Sequence, residues 1–166
     1  MIVTAIDEKN GRARGITVSS FTSLSLDPPR VMFNIKTPSR ALDAMEHRFA
    51  AHFLGADGES IAWAKRFASN EADHDREHGG TGVEGGRWEG EACWSRSKDG
   101  IPVYKGASGT ILCETEREIY VGDHVIVVGR VTATDGHKGS KTGLVWQHHS
   151  FRHVGPIVKS DTATNE

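Results

Sequence analysis

The chain has 166 residues, enough for one domain that buries about two thirds of its unfolded surface. Its 20 Lys and Arg nearly balance 22 Asp and Glu, a formal net charge of -2, so no basic field exists to gather nucleic acid or an anionic membrane, although a local cluster of donors can still take the phosphate of a small ligand. No apolar run approaches the ~20 residues of a membrane-spanning helix, the first six residues are too short for a signal-peptide core, and Cys93 and Cys113 lack Cys-x-x-Cys spacing, which together read as a soluble cytoplasmic protein with two unlinked thiols.

In chain order, residues 2–6 form a first predicted strand, and residues 15–21 a second one with a different chemistry. Thr17, Ser19, Ser20, Thr22 and Ser23 stand among apolar neighbours, and Pro28-Pro29 closes the run. A buried strand would fill its inward positions with Val, Ile or Leu, each contributing about 1.5 to 3 kcal/mol on leaving water. Hydroxyls instead offer donors, acceptors and the small volume that lets a flat polar ligand lie close to the backbone. The alternative is an exposed edge strand running into a Ser-rich turn. Residues 31–35 form the next strand. Pro38 then precedes Ser39, a good N-cap, and a helix is predicted from there with Leu42, Met45 and Phe49 on one buried face. The free N–H groups of that helix start, with the charges of Lys36 and Arg40, make a home for an anion. Ser39 as a cap alone, and Lys36 as a solvated charge, are the plainer alternatives.

Residues 50–54 form another strand, carrying His52, and residues 59–68 a second helix with Ile61, Ala64, Phe67 and Ala68 facing one way. Residues 69–100 differ in kind: a polar, charged stretch leads into a Gly-rich one that also holds Trp88 and Trp94, and part of this excursion is expected to fold back over a site or onto another subunit. Strands are predicted again over 107–115, 119–121, 124–134 and 144–154. His124 follows Gly122 and Asp123 at the entry to the most apolar of them, where a side chain either points over the rim or serves a turn. Residues 1–158 make one domain, and 159–166 a polar, frayed tail. Many short strands with few helices predict a closed or nearly closed barrel, since closure removes the open edges of an antiparallel sheet.

Several patterns are set aside. The glycines at 80, 82 and 85 match the letters of a dinucleotide fingerprint but follow a charged stretch and lead into no helix. Residues 139–142 lack the Gly-Lys pair of a phosphate loop and read as a hairpin turn. His74 and His78 lie in a solvated, charged segment, and of His148, His149 and His153 strand alternation sends only the last two to one face, with no third ligand, so no metal site is assigned.

The hydroxyl-rich strand with its Pro-Pro stop, the run from Arg30 through Lys36-Thr37-Pro38-Ser39-Arg40, the pieces Gly100-Ile101-Pro102, Gly106-Ala107 and Cys113-Glu114, and the strand Gly122-Asp123-His124-Val125 to Val131 together resemble the short-chain flavin reductases, the reductase components of two-component flavin-dependent monooxygenases. Roughly residues 3–154 are covered. The resemblance implies a mainly β fold, an FMN-binding split β-barrel with a few short helices, paired as a homodimer. It implies an NAD(P)H:flavin oxidoreductase that passes a hydride from NADH or NADPH to FMN or FAD and supplies reduced flavin to a monooxygenase. It places Thr17, Val18, Ser19 and Ser20 at the flavin ring and ribityl chain, Ser23 further along, and Lys36, Ser39 and Arg40 at the phosphate. His52 stands on a further flavin wall, where Asn is more usual, and reads nearer a packed or surface histidine than a ligand contact; His124 falls near the nicotinamide nucleotide with a role in proton delivery. The family carries a helix before its first strand, whereas here the strand begins almost at Met1, so either another element covers that surface or the true start lies upstream. Because the chemistry belongs to the two nucleotides, no nucleophile or paired carboxylates are required, and none is set out by a motif. A non-catalytic flavin-binding redox sensor, or a structural split-barrel dimer, would use the same strand signature.

Overall fold

The computed structural model describes residues 1–68, 88, 91–136 and 142–155. The chain forms β1 (Ile2–Asp7), β2 (Arg12–Thr17), β3 (Thr22–Leu26), β4 (Pro29–Lys36), α1 (Arg40–Ala44), β5 (Arg48–Phe53), α2 (Gly58–Ala68), β6 (Trp94–Arg96), β7 (Pro102–Tyr104), β8 (Gly109–Val121), β9 (His124–Asp135), β10 (Leu144–Gln147) and β11 (Ser150–His153). Seven strands make one antiparallel sheet in the order β2-β1-β5-β8-β9-β4-β3, and β6-β7 and β10-β11 are separate hairpins.

The two edge strands, β2 and β3, are consecutive in the chain and only residues 18–21 separate them. Five Cα steps reach at most ~18 Å. Seven flat strands at ~4.8 Å spacing would hold their edges ~29 Å apart. The sheet therefore curls, and the 18–21 connection crosses the gap that curling leaves. Inside the curl lies an apolar cluster of Val18, Phe33, Ile35, Leu42, Met45, Phe49, Val125 and Val127. Phe33 packs edge-on against Phe49 at 5.3 Å and stacks on Phe21 at 5.7 Å. The hydrogen-bonded ladder does not close: among the described residues β2 and β3 do not pair, so full barrel closure is not what this chain shows.

A second cluster lies under α2. Trp63, Ala64 and Phe67 meet Trp88, Trp94 and Tyr104, with the Trp88 and Trp94 rings 4.4 Å apart. Gly15 on β2 is required here, because a Cβ on it would stand 2.5 Å from Phe67 Cε1. The excursion thus returns, in its described part, to its own domain: Trp88 and Trp94 are buried, and Arg66 of α2 pairs with Glu91 at 3.0 Å. Its remaining part, the 159–166 tail and residues 139–141 lie outside the described residues.

Several predicted boundaries move. The strand placed over 15–21 breaks after Thr17, because Val18 pairs with Met1 while the chain turns toward β4, and β3 then carries the alternating Ser and Leu out to Leu26. The first helix is a single turn: the Met45 N–H already bonds the Leu42 oxygen, and Phe49 reaches the same core from β5 instead. Residues 119–121 join 109–115 in one long strand that absorbs two irregularities of register, and 144–154 folds into a hairpin with His148 and His149 at its turn, both at positive φ. Among the described residues no helix is long and apolar enough to cross a membrane, and no three His, Cys, Asp or Glu are grouped to hold a metal.

Candidate functional site

Residues 18–21 commit much of their bonding capacity to the fold. The Val18 N–H donates to the Met1 oxygen at 2.9 Å, its carbonyl accepts from the Met1 ammonium at 2.9 Å, and its side chain is core. The Thr17 hydroxyl donates to the Ala64 oxygen at 2.8 Å and ties β2 to α2. The Ser20 hydroxyl accepts from the Asn34 N–H at 3.0 Å and donates to the Asn34 oxygen at 3.4 Å, so a side chain does for β4 what a neighbouring strand would otherwise do. Ser19 and Ser23 are exposed, and their hydroxyls make no hydrogen bond among the described residues. Of the strand's hydroxyls, these two are the ones a ligand can claim without displacing a bond.

The second group assembles at the far end of β4. Gly122, at φ 59°, and Asp123 form the two-residue turn between β8 and β9, a geometry in which glycine carries no Cβ penalty. The β4–β9 register sets Lys36 directly opposite His124. The Thr37 N–H bonds the Asp123 main-chain oxygen at 2.8 Å, which locks the turn to the 36–40 run. The Asp123 carboxylate lies 2.8 Å from His124 Nδ1 and 3.8 Å from Lys36 Nζ. The hydrogen bond with His124, then that ring's charge and more weakly Lys36, hold this carboxyl below its usual range. Ser39 caps α1, its hydroxyl accepting from the Leu42 N–H at 3.3 Å. With only five residues, α1 has little macrodipole, and the attraction for an anion here comes from Lys36 and Arg40 more than from the helix end.

The two groups share a strand. Asn34, held by Ser20, lies two residues before Lys36, on the same face and about 7 Å away along β4. A hydroxyl-bearing connection and a cation-bearing rim thus flank one strip of sheet, and this donor set fits a ligand with a polyol chain and a phosphate.

His52 does not belong to it. The ring is fully buried on β5, with Nε2 3.0 Å from the Thr4 hydroxyl and Nδ1 3.1 Å from that of Thr110. Thr4 gives its own proton to the Pro102 oxygen at 2.7 Å, so it accepts from His52 Nε2–H. The ring is a packed core element and faces Trp94 edge-on at 5.8 Å. Sequence reasoning missed Thr37 and treated Asp123 only as turn chemistry. The two are 86 positions apart, and only the strand pairing brings them together.

A curled antiparallel sheet with two short helices, an exposed hydroxyl strip and a cationic rim defines a mainly β protein. The chain belongs to the flavin reductase-like family: the flavin reductase like domain matches residues 1–155. Among curated relatives, an NADH:riboflavin 5'-phosphate oxidoreductase of Streptomyces pristinaespiralis is 32% identical over 159 residues, 95% of this chain and 81% of the relative. Among solved structures, the flavin reductase domain protein of an Arthrobacter species superposes with a TM-score of 0.76 at 23% identity, covering 95% of this chain and 88% of that one. The styrene monooxygenase flavin reductase of Pseudomonas putida superposes with a TM-score of 0.72 at 26% identity, covering 95% and 91%.

Proposed function

We propose that the chain is an NAD(P)H-dependent flavin reductase that delivers reduced FMN or FAD to a partner monooxygenase. The observation that carries this reading is the juxtaposition of Lys36, Asp123 and His124 at one end of the strip that begins at Ser19 and Ser20. When bound, flavin accepts a hydride at N5 from C4 of the nicotinamide. The protein's part is to orient and to shield. Ser19 and Ser23 bond the ribityl and ring edge, while Thr17, Val18 and Ser20 fix the backbone that carries them. Lys36 and Arg40, with Ser39 holding the turn, offset the phosphate charge. His124 would meet the dinucleotide with its imidazole and could supply a proton to a reduced flavin.

The finer architecture belongs to the same proposal: a split barrel, open between β2 and β3, that pairs as a homodimer. The outer sheet face supports it, since Ile119 and Val121 stand 46% and 55% exposed there. Mixing the purified chain with NADH and FMN should consume the nicotinamide absorbance and release reduced flavin. No consumption with either nicotinamide and either flavin would remove the enzyme and leave a flavin-binding redox sensor or a structural module.

A further inference from the structure

Asp123 ties the candidate site together through three hydrogen bonds and one ion pair. Its main-chain oxygen accepts both the N–H and the hydroxyl of Thr37, at 2.8 and 3.3 Å. Its carboxylate accepts from His124 on one oxygen and faces Lys36 on the other. An ionised carboxylate has no proton to give, so the 2.8 Å contact requires the hydrogen on His124 Nδ1. Nε2 is then the nitrogen turned away from the turn, and it makes no hydrogen bond among the described residues. Lacking the carboxylate, an exposed imidazole rotates and exchanges tautomers, and its outward nitrogen is fixed neither in place nor in bonding sense.

We propose that Asp123 is the positioning residue of the dinucleotide site: it holds the His124 imidazole with Nδ1–H inward and Nε2 outward, beside Lys36, so that the ring meets the incoming nicotinamide dinucleotide already oriented. This rests on the reading that His124 contacts the dinucleotide. The side chain acts through His124, while the main-chain bond to Thr37 secures the turn whatever side chain stands at 123. Orientation set before binding reduces the entropy lost on binding, and its removal shows in the dinucleotide term alone.

A double-mutant cycle with NADH and FMN, joined to NMR of the imidazole nitrogens, tests it. Asp123→Ala is expected to raise the KM for NADH about fivefold to tenfold with the KM for FMN within about twofold of the wild type. Asp123→Asn, which keeps an acceptor for Nδ1–H, recovers most of that loss. In a His124→Ala background, Asp123→Ala adds nothing further. The wild type shows the Nδ1–H tautomer, which Asp123→Ala converts to a mixture. An equal effect of Asp123→Ala in both backgrounds, or an unchanged tautomer, overturns the proposal. If His124→Ala leaves the KM for NADH unchanged while the tautomer still follows Asp123, it is the assignment of His124 to the dinucleotide that falls, and the role of Asp123 in binding falls with it.

Discussion

Ser19 and Ser20 are neighbours with the same side chain and different duties. Ser20 spends its hydroxyl on both main-chain groups of Asn34, and Ser19 points an unpaired hydroxyl at solvent. Removing a partly exposed hydrogen bond costs about 0.5 to 1.5 kcal/mol, because water can replace only part of its geometry. Ser20→Ala is therefore expected to lower the unfolding free energy by that amount, read as a lower urea midpoint, and to weaken flavin binding indirectly, by loosening the 18–21 connection. Ser19→Ala should leave the midpoint unchanged and weaken flavin affinity directly, by the about threefold to tenfold worth of one lost bond. Unfolding and flavin titration on the same two variants separate these effects. Flavin affinity that is unaffected by Ser19→Ala would move the ligand off this strip.

At the level of elements, β9 shows how tightly the sheet is fitted to its contents. Gly129 faces the ring of Phe49: a Cβ there would overlap the ring tip, lie 2.7 Å from Cε1 and come within 3.2 Å of Cys113 Cβ. Phe49 is fully buried and held edge-on by Phe33, so it has nowhere to swing. Gly129→Ala should cost about 1 to 3 kcal/mol by overpacking, and Phe49→Leu in the same chain should return part of it, a non-additivity that unfolding curves can read. Across the same strands, Arg30 of β4 meets Glu116 of β8 through two bonds, at 2.6 and 3.0 Å. The hydrogen bond from Arg30 holds the Glu116 carboxyl below its ordinary range, with the charges of Arg30, Arg130 and Arg117 assisting. A carboxyl whose folded value is depressed leaves the folded state with fewer protons than the unfolded one. Its contribution is thus complete above the unfolded value, about 4.3, and lost as pH falls through the folded one. Glu116→Gln should lower the unfolding midpoint at neutral pH and converge on the wild type in acid. Most strands were legible because Val, Ile and Phe runs bounded by Gly, Pro and Asp mark them, and Ser39 was legible as a cap. The break at Thr17, β3 and the hairpin β6-β7 were not. The break depends on Met1, 17 positions before Val18, while β3 and β6-β7 are short hairpin strands without the β-branched runs that mark the others. Sequence separation likewise hid the Thr37–Asp123 clamp.

Among the described residues, the outer face of β4, β9 and β8 is left open by the chain's own elements. Antiparallel register aligns three rows across β4, β9 and β8: Met32, Val128 and Arg117; Asn34, Ile126 and Ile119; Lys36, His124 and Val121. Side chains alternate along a strand, so these rows face opposite to Phe33, Ile35, Val125 and Val127, which fill the core. Solvent normally meets polar residues on such a face. Here the middle of it is β-branched and apolar, with charge confined to the ends, where Arg30 and Glu116 stand at one and Lys36, Asp123 and His124 at the other. In a twofold assembly each residue of such a face is buried twice, so its contribution counts twice, and the rims that carry the candidate site come to lie along the seam. Light scattering at micromolar concentration should accordingly give a dimer. Ile119→Glu places two carboxylates in that seam and should yield a monomer whose circular dichroism matches the wild type. A wild-type chain that scatters as a monomer would sink the dimer outright. A folded Ile119→Glu monomer that still reduces flavin at the wild-type rate would show that one copy holds the whole site.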